Sequence, residues 1–156
     1  MRKKVVVTGR GLVTPIGNGL AANIQSLKEG KTGTVFMQEW ADQGLDSRVA
    51  GVSDRMVECP MFTVKNLRFM APNARMAVAA AYEAFKEAGL TPEDLPDRRI
   101  AMINGCAGSS YATVFKNMST YERTHKLRAC SPFSVPKIMP SCGVANMSLL
   151  FGTTGE

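Results

Sequence analysis

A single histidine, His125, is present among the 156 residues, and the four cysteines show no C-x-x-C spacing. Neither residue type forms the cluster that a metal site or a disulfide framework requires, so we expect reduced, mostly buried thiols. No apolar stretch approaches the roughly 20 residues of a membrane span, and the N-terminus lacks the apolar segment of a signal peptide. We therefore expect a cytoplasmic protein.

The composition is that of an ordinary globular protein, with 45% hydrophobic and 21% charged residues. The length suits one domain with a sizeable core, and no internal repeat or linker divides it. A net charge of +6 indicates either an acidic partner or a solvated basic surface.

Strand and helix patterns alternate along the chain. The β-branched and apolar runs at residues 5–7 and 99–104 predict strands buried on both faces, and residues 32–36 and 48–52 predict shorter strands. Residues 38–63 otherwise predict irregular structure. Helices are predicted over about 20–28, 72–88, 111–121, 131–140 and 141–152. This alternation is typical of an α/β fold.

Local signals mark the predicted helix ends. Asn18 suits the N-cap of the first helix, with Leu20, Ile24 and Leu27 on one helical face and Gly30 after its end. Pro72 and Gly89 suit the first turn and the C′ position of the second helix. The charges on that second helix predict solvated side chains, and they are Arg75, Glu83, Lys86 and Glu87.

Glycines interrupt the chain directly after the first predicted strand. Gly9 and Gly11 allow close backbone approaches that a side chain would forbid. A dinucleotide-binding turn is an alternative, but its third glycine would fall at Thr14 and its acidic residue is missing. The nucleotide interpretation is therefore disfavoured.

The opening VVVTGRGLVTPIGNG resembles the start of the β-ketoacyl-acyl-carrier-protein synthases, the condensing enzymes of fatty-acid synthesis. The similarity continues in family order through RFM, EAGL, INGCAGSS, SPFSVPKIMPS and SLLFGTTG, and is closer to the KAS I than to the KAS II branch. The resemblance implies a thiolase-like, layered αβαβα fold. Residues 1–156 would be a partial N-terminal synthase domain.

The resemblance also implies a reaction, the decarboxylative condensation of an acyl thioester with malonyl-carrier protein, without a metal or organic cofactor. The nucleophilic cysteine, two histidines and lysine of the family have no counterpart here, which implies an N-terminal fragment that ends before the catalytic cysteine and is inactive alone. Cys106 matches a small loop residue of the family, and Cys142 has no predicted histidine partner. We therefore assign no catalytic residue to this chain.

Basic residues match the family's carrier-protein docking positions. Lys65 and Arg68 match the first patch, and Arg128, with Lys126 nearby, matches the second, which serves the partner subunit in a homodimer. Basic side chains orient an acidic carrier protein and speed its association. The alternative for each is a plain solvated surface.

Two further residues match the family's acyl pocket. Gly108 stands where the family places a glycine or a bulkier residue at the tunnel end, and Met139 matches a residue that reaches the neighbouring subunit's tunnel. Alternatively, Gly108 permits a tight turn and Met139 packs in the core. The alternative for the whole protein is a non-catalytic interaction or dimer partner of a condensing enzyme.

Overall fold

A computed structural model describes residues 4–54, 56–95, 99–108 and 110–154. The described elements, in chain order, are β1 (Val13–Thr14), β2 (Gly17–Asn18), α1 (Leu20–Lys28), β3 (Thr34–Phe36), α2 (Gln38–Asp42), β4 (Val49–Gly51), α3 (Val64–Leu67), α4 (Pro72–Glu87), α5 (Tyr111–Thr124), a 3₁₀ turn (Leu127–Ala129), α6 (Ser134–Ile138) and α7 (Cys142–Phe151).

The core lies between α4 and α7. Ala74 and Val78 of α4 are fully buried, and Phe151 of α7 is 1% exposed. The Phe151 ring packs edge-to-face on Phe85, with ring centroids 5.0 Å apart. Burying a side chain of this size stabilises the fold by about 1.5–3 kcal/mol. The two helices therefore form the stable centre on which the other segments pack.

The ends of α4 confirm the sequence signals. Pro72 occupies the first helical position, where its missing N–H costs nothing. Ala88 is the C-cap, and Gly89 follows with a φ of 72°, a left-handed conformation that glycine adopts without strain.

The N-terminal segment runs along α4 in direct backbone contact. A Cβ added at Gly9 would overlap the carbonyl oxygen of Ala84, and one added at Gly11 would overlap that of Ala80. The predicted close approach is therefore confirmed. The segment approaches the middle and end of a helix, whereas a dinucleotide-binding turn presents its glycines at a helix N-terminus.

Two carboxylates of α4 hold this segment in place, which corrects the prediction that they are solvated. Glu83 accepts hydrogen bonds from the backbone N–H groups of Leu12 at 2.9 Å and Leu20 at 2.6 Å. Glu87 accepts the backbone N–H of Arg10 and pairs with the Arg10 guanidinium, both at 2.5 Å. The side-chain hydrogen bond from Arg10 lowers the pKa of Glu87.

Helix α1 begins differently from the prediction. Its N-cap is Gly19, with a φ of 85°, and Glu83 rather than Asn18 accepts the Leu20 N–H. The Asn18 side chain instead donates to Asp54 at 3.0 Å.

The apolar face of α1 is not its buried face, since Ile24 and Leu27 are exposed. The buried residues are polar: Asn23 donates to the carbonyls of Gly17 and Gly19, and Ser26 donates to that of Ile16. The helix packs on a loop whose free carbonyls need donors, and this requirement decides which face is buried. Gly30 does lie just past the helix end, with a φ of 64°.

The two strands predicted over residues 5–7 and 99–104 are absent. Residues 5–7 are exposed, and in residues 99–104 partly buried side chains alternate with exposed ones. Ile100 and Met102 contact the core, whereas Ile103 is 94% exposed. A strand forms only when its backbone hydrogen-bonds to the backbone of a neighbouring strand. No backbone–backbone hydrogen bond joins residues 4–11 or 99–108 to any other described residue.

The shorter strand predictions are confirmed. β3 and β4 pair antiparallel, with Val35 opposite Ala50. Helix α2 lies between them and was missed, because the sequence of residues 38–63 predicted only irregular structure there.

The predicted helices after residue 110 are confirmed, but the exposed face of α5 is apolar. Tyr111, Phe115, Met118 and Tyr121 are exposed. Ser110 is the N-cap without a side-chain capping bond, and Ser109 lies outside the described residues. Helix α5 ends at His125, whose φ of 51° is left-handed.

Candidate functional site

An apolar groove of about 600 Å³ opens where α3, α6 and α7 meet. Phe69 and Leu149 contribute apolar walls, and Met139 and Cys142 also line it. Lys65 is the basic residue among the lining side chains. The arrangement suits an apolar chain that carries a polar or acidic end, because pockets of this size combine apolar walls with a few polar groups.

A capping box positions Lys65. The Thr63 hydroxyl accepts the N–H of Asn66 at 3.2 Å, and the Asn66 side chain accepts the N–H of Thr63 at 2.9 Å. Asn66 also donates to the carbonyl of Met61 at 2.8 Å. These bonds fix the short helix α3, so Lys65 and its C-cap residue Arg68 are both exposed on one helical turn.

Cys142 begins α7 beneath the groove, but its thiol is engaged. Cys142 is buried, and its Sγ–H donates to the carbonyl of Phe69 at 3.5 Å. The Asn146 amide donates to the Cys142 carbonyl at 2.8 Å and contacts its sulfur at 3.5 Å. His125 lies exposed at the end of α5, with its ring against Tyr121. A thiol that donates its proton within a packed contact has a structural role.

The other three cysteines are also free. Cys59 is buried, and burial raises the pKa of its thiol. The half-buried Cys106 donates to the carbonyl of Gly108 at 2.8 Å, and the half-buried Cys130 donates to that of Asn117 at 3.6 Å. Two of the four thiols, Cys59 and Cys142, are therefore buried, and the other two are partly exposed.

The two predicted pocket residues lie in different places. Met139 is half-exposed and lines the groove. Gly108 precedes α5 and does not line it; a Cβ there would lie 3.3 Å from the ring of Tyr111. Its φ is not left-handed, and the Tyr111 ring beside it is largely exposed.

The second basic patch lies on the turn after α5. Lys126 is the N-cap of the 3₁₀ turn and Arg128 lies within it, and both are exposed. Within the described ranges the only ion pair joins Arg10 to Glu87, so the cations of both patches have no carboxylate partner. They are available to an acidic surface.

The groove itself was not predicted from the sequence. Its walls come from Phe69 and Leu149, which are 80 residues apart, and no local pattern connects them. In the part of the chain that the structure describes, no group of three His, Cys, Asp or Glu side chains could hold a metal ion. None of its helices is long and apolar enough to cross a membrane.

The family model described as Beta-ketoacyl synthase, N-terminal domain, matches residues 2–156. The chain is 32% identical over 140 residues to 3-oxoacyl-[acyl-carrier-protein] synthase 1 of Escherichia coli strain K12, which covers 89% of this chain and 34% of that protein. The chain therefore spans about a third of the length of this curated relative.

Solved structures show the same fold. A β-ketoacyl synthase from Burkholderia phymatum STM815 superposes with a TM-score of 0.81 at 24% identity, over 99% of this chain and 38% of that one. A type II polyketide ketosynthase, solved in complex with its acyl-carrier protein, superposes with a TM-score of 0.72 at 18% identity, over 99% of this chain and 40% of that one. The predicted thiolase-like α/β fold class is confirmed.

Proposed function

The chain belongs to the β-ketoacyl synthase family, and from this membership we propose that its protein is a 3-oxoacyl-[acyl-carrier-protein] synthase of fatty-acid synthesis. The observation that carries the proposal is the family match over residues 2–156. In the reaction, a cysteine thiolate accepts the acyl group and releases the carrier thiol. Malonyl-carrier protein then loses CO₂, and its carbanion attacks the acyl-enzyme to form the 3-oxoacyl thioester and restore the cysteine.

These 156 residues contribute the binding surface in this proposal. The buried, hydrogen-bonded Cys142 and the exposed His125 are unsuited to the nucleophile and base roles, and we place the catalytic groups outside these residues. The test measures CO₂ release and 3-oxoacyl product from acyl- and malonyl-carrier protein. The natural-length protein should form both, and residues 1–156 alone should form neither. Absence of product from the natural-length protein would refute the proposal.

The first patch, Lys65 with Arg68, serves as the carrier-docking site in this proposal. Both side chains are exposed, unpaired and on one helical turn beside the apolar groove. An acidic carrier protein would meet the two cations while its acyl group approaches the apolar walls. The ketosynthase neighbour that was solved with its acyl-carrier protein supports a partner of this class.

The second patch, Lys126 with Arg128, serves the partner subunit of a homodimer in the same proposal. Met139 belongs with it, since a half-exposed methionine on the groove wall can contact an acyl chain from a neighbouring subunit. Gly108 marks the tunnel end in the complete enzyme. In the same proposal, the protein belongs to the KAS I branch and is located in the cytoplasm.

Charge reversal tests the docking site. Lys65→Glu with Arg68→Glu should slow association with the carrier protein about tenfold at low salt, measured by surface plasmon resonance on the natural-length protein. Raising the salt should narrow the difference, because exposed charges are screened beyond about 10 Å at 0.1 M.

The matched control is Lys28→Glu with Lys31→Glu, an equal change of charge on exposed residues at the end of α1. Equal slowing by both double variants would assign the effect to overall charge. Unchanged association in the Lys65 and Arg68 variant would remove these residues from the docking site.

A further inference from the structure

A second groove, of about 480 Å³, lies between α5 and α6 and is lined mainly by polar residues. Thr113, Asn117 and Thr120 follow one another at helical spacing on α5 and all line it. Phe115 and Met118 of the same helix are exposed instead. Helix α5 thus turns its polar face toward α6, the reverse of the usual arrangement in a helix that packs on a neighbour.

The groove is positively charged. Lys116 of α5 and Lys137 of α6 line it, and no aspartate or glutamate does. Neither lysine has a carboxylate within ion-pair distance among the described residues. Residues 111–138 carry five basic side chains against the single acidic Glu122. Two unpaired ammonium groups that face one polar groove favour an anionic ligand.

One hydroxyl in the groove is buried without a partner. Ser134, in the first turn of α6, is 4% exposed, and its Oγ makes no hydrogen bond to any described residue. The other groove hydroxyls differ, since Ser110 and Thr113 bond each other at 2.8 Å and Thr120 donates to the Lys116 carbonyl at 2.7 Å. Leaving a buried hydroxyl without a hydrogen bond is unfavourable, and a hydrogen bond to a ligand oxygen would offset that cost.

We propose that this groove binds a phosphate group. The two lysines supply charge-assisted hydrogen bonds, and the Ser134 hydroxyl and Asn117 amide supply neutral ones to the remaining oxygens. A tetrahedral anion has enough acceptor oxygens to use donors from both helices. The site is separate from the apolar groove and does not depend on the proposed condensation activity.

Isothermal titration calorimetry of the natural-length protein with inorganic phosphate, at constant ionic strength, tests this proposal. Wild type should bind, and Lys116→Gln with Lys137→Gln should weaken binding at least tenfold. The control is Lys28→Gln with Lys31→Gln, which removes the same charge from exposed residues elsewhere. No phosphate binding by wild type, or equal loss in both double variants, would overturn the proposal.

Ser134→Ala separates a ligand role from a structural one. Removing the hydroxyl should weaken phosphate binding several-fold while leaving the thermal midpoint unchanged or higher, since a buried unsatisfied group is lost. Unchanged affinity would remove Ser134 from the site and overturn the assignment of its hydroxyl. Glycerol 3-phosphate then distinguishes the source: tighter binding than inorganic phosphate indicates a phosphate ester, and equal binding indicates the free ion.

Discussion

Helices α4 and α5 are the two longest in the described chain, and both are amphipathic, yet they use their faces in opposite ways. α4 buries Ala74 and Val78 against α7, whereas α5 leaves Tyr111 and Phe115 exposed. Helical periodicity thus shows that a helix has an apolar face and that this face needs to be buried against another segment. It does not show which segment that is, because this depends on contacts distant in sequence.

A matched pair of phenylalanine truncations tests this contrast with the largest expected effect. Phe151→Ala should lower the free energy of unfolding by about 3–5 kcal/mol, because a buried ring leaves a cavity. Phe115→Ala, at a residue that is 73% exposed, should change it by less than about 0.5 kcal/mol. Urea denaturation measures both. A large loss at Phe115 would mean that the α5 face is covered in solution.

The N-terminal segment packs directly on α4, and Gly11→Ala tests that contact. The added Cβ would overlap the Ala80 carbonyl oxygen, so stability should fall by about 3 kcal/mol. Gly105→Ala is the control, since nothing lies within 4 Å of its Cβ position. Similar thermal midpoints for the two variants would show that the segment is not held against α4.

The same contrast extends to the C-terminal ends of the helices. α4 is followed by Gly89 and α5 by His125, and both residues adopt the left-handed backbone conformation. His125→Gly should raise stability by about 1 kcal/mol, and Gly89→Ala should lower it by a similar amount. Thermal denaturation checks both signs. A loss of stability on replacing His125 would indicate that its ring contact with Tyr121 outweighs the backbone strain.

The smallest expected effect is the pH dependence of the contact between Arg10 and Glu87. The pKa of Glu87 is lowered in the folded chain, so its stabilising contribution is present above the ordinary value of 4.5 and is lost as pH falls through the folded value. Wild type should exceed Glu87→Gln in stability at pH 7, and the two should converge as the pH falls through the lowered pKa of Glu87. A gap that persists at low pH would indicate a contribution other than the carboxylate charge.

Local signals predicted what depends on local chemistry. Pro72 and Gly89 gave the ends of α4, and the family motifs gave the fold class. The strands at 5–7 and 99–104 were wrong because an extended run becomes a strand only beside a partner. The role of Glu83 was missed because the backbone N–H donors that its carboxylate accepts, those of Leu12 and Leu20, lie more than 60 residues away.

The candidate site likewise has residues that the sequence predicted and a groove that it did not. Lys65, Arg68, Lys126 and Arg128 were named from motifs, and the structure shows them exposed and unpaired. The groove beside Lys65 could not be named, since α3, on one side of it, is distant in sequence from α6 and α7. Gly108 and Met139 were named together, yet only Met139 lines that groove.

The glycine pair has a consequence for chain length. Two residues of extended chain advance about 6.6 Å, and four residues of α-helix advance about 6.0 Å. The distance between Gly9 and Gly11 therefore matches the distance between Ala84 and Ala80 along the helix, so that both glycines contact α4 at once. A substitution disturbs one of these contacts. An inserted or deleted residue between the glycines would shift one contact against the other, so spacing here is as constrained as residue identity.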